Sequence, residues 1–222
     1  MEKIVIIGGR GSALVVAEQL YDTQEKTGRF EFLGFAFDDE TMGDSINGFP
    51  LLCKTYEAYP KYREDENVKF IYQLYRPDLI EKRAALLESF QIPAERFFTF
   101  IHHTATVTRS AVIGNGTAVM ANAVINPNTV IGNHCTIHSN TLIGHDTTLG
   151  NYNFVAAHSV IGSSSTIGNG NFFGLNSTFN NFLQVGDFNF VGMASNVVKN
   201  LASNQKVYGN PAREFTHQIK PL

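Results

Sequence analysis

An apolar residue recurs every six positions from Val107 to Val197 without a slip. The column reads Val107, Ile113, Val119, Ile125, Ile131, Ile137, Ile143, Leu149, Val155, Ile161, Ile167, Phe173, Phe179, Val185, Val191, Val197. A helix repeats about every 3.6 residues and a strand every two, so neither alone yields this spacing. A fixed short period is the mark of a solenoid, whose units bury their apolar faces only by stacking on their neighbours. A small residue follows four places later in most repeats, as in Ala111, Thr117, Ala123, Thr129, Cys135, Thr141, Thr147, Ser159, Ser165 and Ser177. Gly often comes one place after the apolar residue (Gly114, Gly132, Gly144, Gly150, Gly162), and Asn or Asp two places after it (Asn115, Asn133, Asn151, Asn169, Asn181, Asp187). Both types tolerate the left-handed backbone of a tight corner. Each hexapeptide thus reads as one short strand plus one corner, with the left-handed residue expected at these Gly and Asn positions.

Charge marks the boundary of the repeat. Between Val107 and Val197 the only Asp, Glu, Lys or Arg residues are Arg109, Asp146 and Asp187. The chain divides into residues 1–98, a connection over 99–106, the repeat over 107–198 and a tail over 199–222. A hydrophobic content of 43% and a charged content of 17% fit a globular protein, and a net charge of −3 gives no case for nucleic-acid binding. The opening Met1 to Gly8 is too short an apolar run for a signal peptide or a membrane span. A cytoplasmic location without membrane insertion is the expectation. Cys53 and Cys135 stand far apart, and Cys135 falls in the small inward column, so a packed thiol is expected there rather than a disulfide.

The N-terminal part reads as α/β. Lys3 to Ile7 is a buried strand, Ala13 to Glu25 an amphipathic helix, Phe30 to Phe37 a second strand, Lys69 to Leu74 a third, and Pro77 to Phe90 a second helix. Strand–helix alternation predicts a small parallel, Rossmann-like sheet. The turn between the first strand and helix is Gly8-Gly9-Arg10-Gly11-Ser12. Backbone N–H groups at such a helix start favour an anion. An acid after the second strand, here Asp38 or Asp39, stands where such folds often hold a ribose or base.

The repeat resembles the hexapeptide-repeat acyltransferases, whose fold is a left-handed parallel β-helix with three hexapeptides per coil. Joined to an α/β domain with a Gly-rich first turn, it resembles the sialic-acid O-acetyltransferase and bacillosamine-pathway sugar N-acetyltransferase family. The ending Val207-Tyr208-Gly209-Asn210-Pro211-Ala212-Arg213 matches that family's tail. The resemblance implies a homotrimer with acetyl-CoA bound to the β-helix between subunits. It implies acetyl-CoA contacts from Gly162, Ser163, Asn176, Gly209, Asn210, Pro211, Ala212 and Arg213. It also implies a nucleotide-linked amino sugar bound near Gly8, Gly9, Arg10, Gly11, Ser12, Asp38 and Asp39.

Seven histidines are present: His102, His103, His134, His138, His145, His158 and His217. His145 alone occupies the corner column where Asn, Asp and Ser are usual, and Asp146 follows it. A carboxylate can orient an imidazole, fix its tautomer and raise its basicity. The resemblance makes His145 the general base of a direct acetyl transfer, with a backbone N–H near Gly162 or Ser163 expected to stabilise the oxyanion. The bland alternative is a solvated surface histidine. No metal is expected, because the four-residue spacing of His134 and His138 makes a ligand pair only on a helix. This chain departs from the family at His138, Phe154, Ser12 and Gln73-Leu74-Tyr75-Arg76. The expected activity is acetylation of a nucleotide-linked amino sugar for cell-surface glycan synthesis. An O-acetyltransferase of sialic acid or another free sugar, and a non-catalytic trimeric scaffold, are the two alternatives. Phe154, Phe172, Phe182, Phe188 and Phe190 fall outside the inward column and point to coil faces buried by partners.

Overall fold

A computed structural model describes residues 1–215, apart from the side chain of Glu40. His217 and the end of the expected tail lie outside the described residues.

The first strand, β1 (Glu2–Ile7), is the apolar run read from the sequence, and its last four residues are fully buried. It lies between β2 (Phe30–Ala36) and β5 (Val68–Tyr72), parallel to both. Helix α1 (Ser12–Thr27) packs Ala13, Val16, Ala17 and Leu20 onto this sheet. Two strands were not anticipated: β3 (Ser45–Ile46) and β4 (Phe49–Cys53) form a hairpin after the acidic pair, and β4 runs parallel to β2. The sheet order is therefore β3-β4-β2-β1-β5, with β3 an antiparallel edge. The tight Asn47-Gly48 turn, with φ of 50° and 82°, makes this hairpin possible. Two further helices, α2 (Ala58–Tyr62) and α3 (Ile80–Ser89), complete the domain.

Stacking of strands begins earlier than the apolar column suggests. Strand β6 (Phe100–Ile101), within the expected connection, already pairs with Ala118–Val119. From there two-residue strands pair in parallel with the strand 18 residues onward, as Val124–Ile125 does with Leu142–Ile143. Three faces result. One contains Phe100 and Thr136 and carries the N-terminal domain; we call it the docking face. The others are the Val107 face, which includes Leu142–Ile143, and the Ile113 face, which includes Leu149. Stacking runs into the tail, where Lys206–Tyr208 extends the docking face and pairs antiparallel with Arg213–Glu214.

The apolar column is the core. Ile125, Ile137, Ile143, Val155, Ile161, Phe173 and Val191 have no exposed surface, and Thr129, Thr141, Thr147, Ser159 and Ser177 fill the corners beside them. Each buried aliphatic contributes about 1.5–3 kcal/mol gross. Cys135 is buried there as a free thiol, pushed up to about 12 by desolvation.

The corners correct the sequence reading. The left-handed residue is not the Gly or the Asn of the columns above but the next one, three places after the apolar residue: Asn122, Asn128, His134, Asn140, Asp146, Tyr152, His158, Ser164, Asn176, Phe182, Phe188 and Ala194. Gly is present for a different reason. A Cβ on Gly132 would lie 2.5 Å from the Asn151 Oδ1 and 2.7 Å from the Gly150 carbonyl carbon, so Gly lets successive coils approach. The column Asn is a ladder. Asn133, Asn151 and Asn169 each accept, through Oδ1, the backbone N–H of the residue 18 places earlier, at 2.8–2.9 Å.

The outward phenylalanines also have a different partner from the one expected. Phe154, Phe172 and Phe190 stack in a row on the docking face, with centroids 5.5 and 4.8 Å apart. Tyr75 of the N-terminal domain lies flat on Phe154 at 4.4 Å. The N-terminal domain thus covers Phe154 and Phe172 through Tyr75, and Tyr208 of the tail lies against Phe190. Phe188 is half-buried at a corner, and Phe182 alone of the set is open, at 75% exposure.

Candidate active site

His145 stands on the corner between the Val107 and Ile113 faces. Ile143 anchors the coil inside, and Gly144 lets the next coil close in, since a Cβ there would lie 2.5 Å from the Ser163 nitrogen. Asp146 takes the left-handed position, with φ of 56°. This kink turns the two neighbouring side chains together: His145 Nδ1 lies 2.6 Å from Asp146 Oδ2. Both side chains are about half exposed, at 58% and 51%. Asp146 Oδ1 accepts the side-chain amide of Asn128 at 2.9 Å. That bond and the His145 contact hold the carboxyl below its ordinary range. An ionised Asp146 accepts from Nδ1–H, which leaves Nε2 as the lone-pair nitrogen facing outward. The arrangement is that of an oriented base.

Gly162 and Ser163 sit on the same corner one coil onward, as expected. Their backbone N–H groups are engaged, Gly162 donating to Phe179 O at 3.0 Å and Ser163 to Asn181 Oδ1 at 2.8 Å. The expected oxyanion donor is therefore corrected: within this chain neither N–H points to free space, because both serve the coil stack. Asn176 is exposed, on a different corner, between the docking and Val107 faces. The tail lies along that corner too. Gly209 donates to Ser195 Oγ at 3.0 Å and accepts from Asn196 N–H at 2.9 Å, and Ala212 N–H donates to Asn196 O at 2.8 Å. Asn210 and Pro211 form a cis peptide, and Arg213 is exposed. One chain thus places Asn176 and the 209–213 tail together but across the Val107 face from His145.

The Gly-rich turn connects the two domains. Gly8 and Gly9 are buried, Arg10 and Gly11 exposed, and Gly8 has φ of 140° with the Gln73 carbonyl where its Cβ would lie. Ser12 Oγ donates to Gln73 Oε1 at 2.9 Å, and Gln73 Nε2 donates to Thr136 Oγ1 of the β-helix at 3.1 Å. The acidic pair is less available than the sequence suggests. Asp38 accepts from Thr55 N and Oγ1 at 3.0 and 2.6 Å, and Asp39 from Thr41 N and Oγ1 at 3.0 and 2.6 Å and from Arg10. The Thr41 bonds, above all, hold Asp39 below its ordinary range. A cleft of about 290 Å³ opens beside the pair, bounded also by Phe37, Asp44, Leu51 and Lys54, and a groove of about 610 Å³ lined by Leu52, Cys53, Tyr56 and Lys61 adjoins it.

Two histidines contribute packing. His134 stacks on Tyr152 at 5.4 Å, His138 lies against Phe154 at 4.8 Å, and burial pushes each down to about 4. Among the described residues, Asp22, His102 and His103 bring three ligand-type atoms together. His102 Nδ1 accepts the Thr104 backbone N–H at 3.2 Å, which fixes the proton on Nε2, where it faces Asp22 at 3.2 Å. A metal on Nε2 would require the opposite tautomer, so the contact is a hydrogen-bonded pair between α1 and the first coil.

Comparison with known proteins agrees with this architecture. Residues 110–145 match the family model of the bacterial transferase hexapeptide (six repeats). The acetyltransferase domain of PglB from Neisseria gonorrhoeae FA1090 superposes with a TM-score of 0.81 at 26% identity, over 97% of this chain and 100% of that one. The same domain in complex with acetyl coenzyme A gives 0.82 at 23%, over 96% and 99%. A mutant of perosamine N-acetyltransferase from Caulobacter crescentus, in complex with CoA and GDP-perosamine, gives 0.83 at 24% identity over 98% of both chains. WeeI from Acinetobacter baumannii AYE gives 0.79 at 20%, over 97% and 100%. No curated protein matches the chain. The fold is an α/β domain followed by a left-handed parallel β-helix, and the match of the repeat and of the whole chain supports an acyltransferase. Its likeness is to the PglB acetyltransferase domain and to perosamine N-acetyltransferase. Among the described residues no helix is long and apolar enough to cross a membrane.

The sequence signal for His145 and Asp146 was the substitution of an imidazole into a column of Asn and Ser. Asn128 was missed, because only the 18-residue register brings it to Asp146.

Proposed function

We propose that the chain transfers the acetyl group of acetyl-CoA to the amine of a nucleotide-linked amino sugar. The observation that carries the reading is the His145–Asp146 pair at 2.6 Å on an open corner of the β-helix. The amine nitrogen attacks the thioester carbonyl while His145 Nε2 takes one of its protons. The tetrahedral intermediate collapses, the carbon–sulfur bond breaks, and the imidazolium returns the proton to the CoA thiolate. Base catalysis of this kind contributes about 10²–10⁴-fold. An acyl-enzyme has no support: Cys135 is buried with its thiol pushed up to about 12, and Cys53 belongs to the other domain.

Acceptor binding is assigned to the cleft beside Asp38 and Asp39 and to the Gly8–Ser12 turn. CoA and GDP-perosamine are bound together in the Caulobacter crescentus protein, which supports a nucleotide sugar as the acceptor here. A homotrimer completes the site. Leu142 and Val160 on the Val107 face and Val112 and Val130 on the Ile113 face are 37–58% exposed and flank the His145 corner. Covering them with a second copy brings that copy's surface to His145. Gly162, Ser163, Asn176 and the Gly209–Arg213 tail are assigned to acetyl-CoA in that trimer. The product fits cell-surface glycan synthesis in the cytoplasm.

The test is release of free CoA from acetyl-CoA in the presence of UDP-, dTDP- and GDP-linked 4-amino sugars. Turnover on one of them supports the reading. Turnover only on free sugars, through a hydroxyl, replaces it by O-acetylation, and no turnover on either leaves a binding protein.

A further inference from the structure

We propose that Asn128 is a positioning residue for the His145–Asp146 pair, its side-chain amide fixing one carboxylate oxygen so that the other holds the imidazole with Nε2 free. The inference rests on the reading of His145 as the base. Asn128 belongs to the coil before His145, 18 residues upstream of Asp146, and occupies the same left-handed corner position, with φ of 59°. Its backbone N–H donates to Ser110 Oγ at 3.0 Å, one coil further back. Its side-chain Nδ2 donates to Asp146 Oδ1 at 2.9 Å, and Asp146 Oδ2 meets His145 Nδ1 at 2.6 Å. The carboxylate is thus gripped at both oxygens, one by the preceding coil and one by the imidazole. Without the first grip an exposed Asp side chain rotates freely about its terminal bonds, and the imidazole loses its fixed partner.

The assignment goes beyond what the backbone demands. A left-handed corner asks only for a residue that tolerates positive φ, and Gly or Ser serves elsewhere, at Gly170 and Ser164. Asn128 adds a donor where a carboxylate needs one. It is also the largest influence holding the Asp146 carboxyl below its ordinary range. No other charge competes closely. Over residues 108–111, 126–129, 144–147, 162–165 and 180–183 of this corner, the only charged or titratable side chain besides the pair is Arg109, two coils away from His145. The neighbouring outward positions Leu142, Val160, Thr148 and Thr166 carry none.

Asn128→Gly isolates the side chain, because Gly accepts φ of 59° without strain. Asn122→Gly is the matched control, with φ of 57° on another corner. In the full chain, ¹⁵N chemical shifts of the His145 ring report its tautomer and the ¹³C shift of the Asp146 carboxyl reports its titration. Asn128→Gly is expected to convert a single Nδ1–H tautomer into a mixture and to move the Asp146 titration upward. It is expected to lower kcat for CoA release about tenfold, a part of the base's whole contribution, with KM for acetyl-CoA unchanged. Asn128→Asp, of the same size but unable to donate when ionised, is expected to lose at least as much. Asn122→Gly is expected to change none of these. An unchanged tautomer in Asn128→Gly overturns the proposal, and so does an altered tautomer with full kcat. If the unsubstituted protein turns over none of the sugars, the acetyltransferase reading fails, whereas the tautomer still decides whether Asn128 positions the pair.

Discussion

Two corners of the same coil do opposite jobs. Between the Ile113 and docking faces, Asn133, Asn151 and Asn169 each accept the N–H 18 residues back, and the corner is a closed ladder. Between the Val107 and Ile113 faces the same column reads Arg109, Pro127, His145, Ser163, Asn181. Pro127 has no N–H to donate, so the residue 18 places later is not required to accept one. That position is His145. A missing donor in one coil therefore releases a side chain in the next from structural duty. The ladder is present again two steps later, where Ser163 N–H meets Asn181 Oδ1 at 2.8 Å. Stability and chemistry share one repeat but are separated by corner.

The largest expected effect concerns the core that both corners share. Ile143 is fully buried directly inside the His145 corner. Ile143→Ala is expected to cost about 2–5 kcal/mol in urea unfolding. Acid comes next. His134 belongs to the ladder corner, and burial pushes it down to about 4, below its unfolded value of about 6.5. The unfolded chain therefore binds the extra proton between those values, so stability rises with pH through that window and is lost as pH falls. The loss is on the order of 3 kcal/mol for such a fully expressed shift. His134→Phe, which places at this corner the residue type that Phe188 supplies in the same column, is expected to flatten this acid dependence in urea titrations at pH 7 and 4.5.

Asn151→Ala tests the ladder itself. It orphans the Asn133 N–H and is expected to lower stability by about 1 kcal/mol, with little change in turnover. The smallest effect is expected from Pro127→Ala. The new N–H lies one coil from the imidazole and competes for it, at about 0.5–1.5 kcal/mol for a net hydrogen bond, a loss in kcat of about two- to tenfold. An unchanged kcat in that variant would show that His145 owes its freedom to something other than Pro127.

Much of this was legible in the sequence. The column from Val107 to Val197 marked a solenoid of stacked short strands, the resemblance supplied the β-helix, and the small column filled its corners. The first rung at Phe100–Ile101 was missed although Ile101 stands six residues before Val107, in register with the column. The β3–β4 hairpin was missed because two short strands leave too little alternation to see. Corner chemistry was misplaced by one residue: Gly and Asn suggest positive φ wherever they occur, yet here Gly serves coil approach and Asn serves the ladder. His145 stood out as a departure from its column, with Asp146 as the acid beside it. Their support by Asn128, the release by Pro127 and the engagement of the Ser163 N–H all depend on the 18-residue register, which a linear reading does not display.

The most direct test sets His145→Ala beside Asn151→Ala, with CoA release from acetyl-CoA on the accepted amino sugar and urea unfolding measured for both. Separation of the corners predicts that His145→Ala loses about 10²-fold or more in kcat and changes stability by less than about 0.5 kcal/mol. Asn151→Ala is predicted to do the reverse. Full turnover in His145→Ala would contradict the account at its centre.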